Sequence, residues 1–170
     1  MRVYIICIIS IFCFSSFVFG QKYETSFNGE EKLKNPIQIP NKILKILRQD
    51  EEVQRCTSPN SQTEFSSDLF EATYVNLNND GLPDLLVKAK NEYDCINGNA
   101  ISFWMFRKNR NGYDLVLYLY THVLDITKKK FNRSYKLNSS RSTGNATYTT
   151  FYAFNGRSYI KKGRKETPKN

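Results

Sequence analysis

Histidine is almost absent from this chain: His122 is the one imidazole in 170 residues. That count excludes a histidine-rich zinc centre and any acid–base mechanism built on two histidines. Cysteine is scarce as well. Of the four present, Cys7 and Cys13 fall in an N-terminal apolar run, which leaves Cys56 and Cys95, too few for a thiolate metal site without further ligands. In an exported chain such a pair favours one disulfide, and closing the intervening loop contributes about 4 kcal/mol on the chain-entropy argument. Long apolar runs are missing after residue 19, so no later segment is expected to span a bilayer. Acidic groups are depleted in one half: residues 105–170 hold three, Asp114, Asp125 and Glu166, against fifteen Lys and Arg, whereas residues 21–104 hold thirteen against nine.

What is present begins with a leader. Arg2 precedes an apolar stretch over residues 3–19 that is broken only by Ser10, Ser15 and Ser16. This reads as a signal peptide over residues 1–20 with cleavage near Gly20, and a secreted or periplasmic destination follows. Residues 21–39 are polar, with Asn28-Gly29 and Asn35-Pro36 as turn pairs, and read as a flexible leader. Asn41 stands as an N-cap, and Ile43, Leu44, Ile46, Leu47 and Val53 share a face at helical spacing, which predicts one helix to about Arg55. After a polar segment over 57–67 the pattern turns to short β-prone runs at 70–77, 82–89, 100–107, 113–120, 131–137, 147–154 and 157–161. Asn111-Gly112 and Asn155-Gly156 separate consecutive runs as tight-turn pairs. The expected fold is α+β, mainly β: one N-terminal helix packed on an antiparallel meander sheet of about seven strands. It forms a single domain over 40–162 and ends in a basic tail at 163–170.

The most specific chemical pattern is the loop between the first two runs. A calcium ion takes six to eight oxygens, and a chain supplies them from alternate positions around a glycine. Asn76, Asn78 and Asp80 stand at positions one, three and five, Gly81 at six, the carbonyl of Leu82 at seven and Asp84 at nine. Position one is Asn rather than Asp, and position twelve is Val87 rather than a bidentate Glu. With strands expected on both sides, an EF-hand is excluded. The competing reading is a plain hairpin turn with Asn78 and Asp84 bonded to nearby backbone.

The string Val75-Asn76-Leu77-Asn78-Asn79-Asp80-Gly81-Leu82-Pro83-Asp84-Leu85-Leu86-Val87 resembles the aspartate-rich strand–loop–strand of FG-GAP and VCBS-type repeats. That resemblance implies a structural calcium ion that stiffens a β-hairpin in an extracellular protein. The unit occurs once, so a propeller is not implied. The wider layout, with Phe103-Trp104-Met105-Phe106, an Asn-Gly turn and a late Tyr152-Ala153-Phe154-Asn155-Gly156, is similar to that of small bacterial exported proteins.

The basic half offers a second lead. Lys128, Lys129, Lys130, Arg133, Lys136 and Arg141 are interleaved with Phe131 and Tyr135, and alternation over 131–137 puts Phe131, Arg133, Tyr135 and Leu137 on one strand face. Aromatic surface mixed with positive charge suits an anionic polymer, whether nucleic acid, polysaccharide or lipid headgroups. The blander reading is an edge strand whose lysines block unwanted pairing. Asn132, Asn138 and Asn145 open formal glycosylation sequons, which matter only in a eukaryotic secretory route. No pattern suggests a nucleotide cofactor. His122 with Asp125 would serve a small hydrolase, but no nucleophile sits in a strained-turn motif beside them. The sequence therefore favours an exported, non-enzymatic binding or structural domain with a loop able to take calcium, then a polyanion binder, and last a hydrolase.

Overall fold

Short β-branched and aromatic runs punctuated by Asn and Gly pair as hairpins, because their connections are too brief for crossover helices. The computed structural model describes residues 23–57, 63–92 and 99–169. Among these the strands are β1 (Ser26–Asn28), β2 (Phe70–Val75), β3 (Asp84–Ala89), β4 (Ile101–Asn109), β5 (Gly112–Thr121), β6 (Val123–Phe131), β7 (Ser134–Ser142), β8 (Ala146–Phe154) and β9 (Tyr159–Pro168). All pair antiparallel. The chain is mainly β, and the meander expected from the sequence runs in two sheets rather than one. β2-β3-β4-β5 form the first, and β6-β7-β8-β9 form the second, with β1 added beside β6. The change of sheet takes one residue, His122, between the end of β5 and the start of β6.

Two apolar layers result. Phe27, Leu86, Phe103, Met105, Leu124 and Leu137 meet between the sheets. On the other face of the four-stranded sheet, Leu85, Val87 and Trp104 meet Ile43, Leu47 and Val53 from the helices. Full burial of each such side chain is worth about 1.5–3 kcal/mol. β3 lies between both layers, so all six of its residues are buried.

The single helix expected over 41–55 is two: α1 (Asn41–Arg48) and α2 (Glu51–Cys56). Asp50 divides them. Its Oδ1 accepts from the Glu52 and Val53 N–H groups, capping α2, and its Oδ2 accepts from Trp104 Nε1 at 2.9 Å. A cap at that point requires extended backbone, which ends the first helix. Asn41 is not the cap of α1 but its first residue; Pro40 occupies the cap position without a side-chain bond.

Three further expectations are corrected. Residues 21–39 are not a free leader where described: β1 pairs with β6, and Phe27, Leu33 and Ile39 are core residues. Gly29 marks the closest approach, since a Cβ there would lie 2.8 Å from Ile101 Cβ. The strand expected at 131–137 contains a turn instead. Asn132 and Arg133 take φ of 48° and 61°, so Phe131 closes β6 and Ser134 opens β7. Residues 163–168 belong to β9, paired with β8 across its whole length, rather than to a frayed tail.

Lys88 holds the N-terminal segment in place. It is buried on β3, and its Nζ donates to the carbonyls of Gly29, at 2.9 Å, and Glu31, with Glu71 at 3.9 Å. Burial pushes its pKa down from the ordinary lysine value, and the carboxylates of Glu71, Glu31 and Glu24 oppose that shift. Removing the ammonium leaves two carbonyls without their donor and Glu71, which still accepts from Leu33 N–H, without its counter-charge. Lys88→Met is expected to lower stability by about 3 kcal/mol, measured by denaturant unfolding, and to speed amide exchange at Phe27 and Gly29 before the rest of the sheet opens.

Candidate anion-binding site

The loop between β2 and β3 is built from its own side chains. Asn76 Oδ1 accepts from the Asn78 and Asn79 N–H groups at 3.2 and 2.6 Å, and Asn78 Oδ1 accepts from Asp80 N–H at 3.2 Å. Asp80 Oδ1 accepts from Leu82 N–H, and its Oδ2 from Asn78 Nδ2 at 2.5 Å. Asn79 and Gly81 take φ of 62° and 84°, the left-handed backbone that Asn and Gly tolerate. Asp84 turns the other way. It is fully buried, with one oxygen accepting from Leu77 N–H at 2.7 Å and the other from Lys108 N–H at 2.9 Å. Burial raises its pKa to about 6, more than the two backbone bonds lower it.

In this arrangement the side-chain oxygens of the expected calcium set bond within the protein. Asp84, one of only two carboxylates in the set, has both oxygens committed to backbone donors, the N–H groups of Leu77 and Lys108. Among the described residues no three His, Cys, Asp or Glu side chains are grouped to hold a metal.

His122 sits at the corner between the sheets, with both ring nitrogens bonded to backbone. Its Nδ1 accepts from Ser142 N–H at 2.9 Å, which makes Nε2 the protonated nitrogen, donating to the Asn99 carbonyl at 2.7 Å. Asp125 is engaged elsewhere, accepting from Ser26 Oγ at 2.6 Å. Cys56 is buried at the end of α2 and disulfide-bonded. Cys95 lies outside the described residues, so its pairing with Cys56 is a proposal.

The basic residues expected to form one patch are divided. Lys130 lies over the Tyr135 ring at 4.5 Å, and Lys136 faces Phe131 at 5.9 Å. Lys128 and Lys129 are exposed before them on β6, and Arg133 is exposed at the turn. Arg141 is at the opposite end of β7, over Tyr120 and bonded to Asn99 Oδ1 at 2.9 Å. Tyr135 and Leu137 pack toward the core between the sheets, while Phe131 is exposed beside Lys136 and Lys162. The turn at Asn132-Arg133 is the cause, because it interrupts the alternation that the sequence suggested.

A different set of cations converges. A cleft of about 780 Å³ opens between the β2–β3 loop, the β4–β5 hairpin and the β8–β9 turn, lined by Asp80, Leu82, Arg107, Arg110, Leu115 and Arg157 among others. Beside it a depression of about 430 Å³ is lined by Lys42, Lys108, Arg110 and Tyr113. Arg107 lies 4.7 Å from the Phe154 ring centroid and Lys108 lies 4.3 Å from that of Tyr113, so both charges are held in place by aromatic faces. The acids nearby are already bonded: Asp114 accepts from Asn109 Nδ2 at 2.6 Å, and Asp80 is bound within its own loop. Five cations thus border two adjoining depressions that share Lys108 and Arg110, against two partnered carboxylates.

The sequence reading passed over Lys42, Arg107, Lys108 and Arg110. A usable signal was present: alternate connections of an antiparallel meander lie at the same end, so basic residues beside alternate turns collect there. No protein-family model matches this chain, and no curated protein or solved structure does either.

Two measurements follow from the loop. The native state binds a proton at Asp84 at a pH where the unfolded chain has released it, so stability from this group is full below about pH 4 and is lost as pH rises through about 6. The loss amounts to at most about 3 kcal/mol, and in Asp84→Asn that component of the stability–pH slope is absent. Asp80→Ala is expected to lower the thermal midpoint by removing two loop bonds, with the wild-type midpoint unchanged between millimolar calcium and chelator. A calcium-dependent rise abolished by Asp80→Ala would instead establish a metal site.

Proposed function

We propose that the chain is a non-enzymatic binding domain, exported after cleavage near Gly20, that engages an anionic partner at the end of the sandwich carrying the β2–β3 loop. The observation behind this reading is the pair of adjoining depressions bordered by Lys42, Arg107, Lys108, Arg110 and Arg157. Its size suits a bound group, since ligand clefts run to several hundred cubic ångströms. Cations fixed over aromatic rings need little reordering when an anion arrives, which favours binding. The backbone bonds at both ring nitrogens of His122 support a structural role for that residue over a hydrolytic one. A Cys56–Cys95 disulfide accords with an oxidising compartment.

Binding that rests on these cations weakens as salt rises. Retention of the mature protein on a heparin matrix, read across a salt series, is expected to give a linear fall of log affinity against log salt. Arg110→Ala combined with Arg157→Ala should reduce that slope by about two. Equal slopes for the wild type and the double variant would sink the groove as the anion site.

A further inference from the structure

We propose that this loop end docks on an anionic lipid bilayer, with Leu82 and Phe131 entering the interface between headgroups and acyl chains. The proposal rests on the anion-binding reading of the same end and names its partner.

Leu82 belongs to the β2–β3 loop and Phe131 to the last position of β6, on different sheets. Two contacts bring their hairpins to one end. Tyr135 N–H donates to the Leu77 carbonyl at 2.7 Å, and Asn132 Nδ2 donates to the Phe154 carbonyl at 3.0 Å, beside the β8–β9 turn that lines the cleft. Leu82 is 40% exposed and Phe131 is 43% exposed, the two most exposed large apolar side chains described. Each is followed or preceded by left-handed backbone, Asn79 and Gly81 in one loop, Asn132 and Arg133 in the other. Tight turns of this kind leave a side chain at the tip with no flanking chain to cover it.

Around Phe131 the charge has one sign, and the carboxylate beside Leu82, Asp80, is bonded within its own loop. The ammonium groups of Lys136 and Lys162 stand 5.9 and 5.7 Å from the Phe131 ring centroid, and residues 126–137 contain no acid. A polysaccharide or a nucleic acid satisfies the cations and can stack on Phe131, but it leaves Leu82, which offers no ring, uncovered. A bilayer satisfies both features at once: anionic headgroups face the lysines and arginines, and the acyl boundary receives the leucine and the aromatic ring. Cations surrounding apolar tips are the arrangement that such a surface selects.

The test uses the mature, oxidised chain and vesicles of phosphatidylcholine with and without phosphatidylglycerol. Flotation is expected only with the anionic vesicles. Phe131→Ser should lower vesicle partitioning about tenfold while retention on heparin is unchanged, and Leu82→Ser should lower partitioning further. Phe131→Trp should show a blue-shifted emission that brominated lipid quenches, against a constant background from Trp104, which is fully buried. Heparin retention without flotation would overturn this inference and leave the anion-binding reading standing. Flotation with no quenching by brominated lipid would overturn the insertion of Phe131. Failure to bind either heparin or vesicles would overturn both readings.

Discussion

β3 has no face toward water, and most of the molecule's organisation follows from that constraint. The helices cover one side and the five-stranded sheet covers the other. An ionisable group on such a strand has to find partners inside the protein. Asp84 and Lys88 lie four residues apart on the face that looks toward the second sheet, with Leu86 between them, and each is satisfied by backbone from outside β3. Asp84 accepts the N–H groups of Leu77 and Lys108, which fixes the β2–β3 loop against β4. Lys88 donates to the carbonyls of Gly29 and Glu31, which fixes the N-terminal turn beside β1. The two ends of one strand thereby add polar anchors to two segments that also bury Leu77 in one case and Phe27 and Leu33 in the other.

The consequence for function lies at the Asp84 end. Antiparallel meanders bring alternate turns together, and here the turns carry Arg110, Arg133 and Arg157 while nearby strand ends carry Arg107, Lys108, Lys136 and Lys162. Aromatic rings hold several of these charges in fixed positions. The acid that would most directly neutralise the groove, Asp84, is withdrawn into the core, and its raised pKa reflects the poor solvation there. At this end the cations outnumber the carboxylates, Asp80 and Asp114, that line the cleft with them.

Strand existence was legible because β-branched and aromatic runs bounded by Asn and Gly have few alternatives. Six of the seven runs read from the sequence correspond to strands, five with ends displaced by one or two residues, as 82–89 is from β3, and the last, 157–161, continued to Pro168 as β9. The run at 131–137 failed because Asn132 and Arg133 take left-handed backbone, and Arg carries no sequence signal for that. Conversely, the glycines of the two Asn-Gly pairs do take positive φ, at 147° and 107°, but the asparagines before them do not. The helix was read as one because the periodicity of Ile43, Leu47 and Val53 continues across Asp50. Only the Trp104 indole, more than fifty positions later, shows why that aspartate caps a second helix. The loop at Asn76 was found by its spacing, yet spacing says nothing of the direction in which Asp84 points.

By itself the sequence determined the β-rich class, the antiparallel pairing of neighbours, the turn at Asn76 to Asp84 and the cationic character of the second half, since these rest on local periodicity, backbone preference and residue counts. Tertiary structure alone decided that the strands divide into two sheets, that residues near Phe27 join the second of them, and that Asp84 faces the core. It also decided which cations meet. Those outcomes depend on contacts between residues far apart in the chain, where burial on both faces of β3 selects one arrangement from many that the local pattern permits.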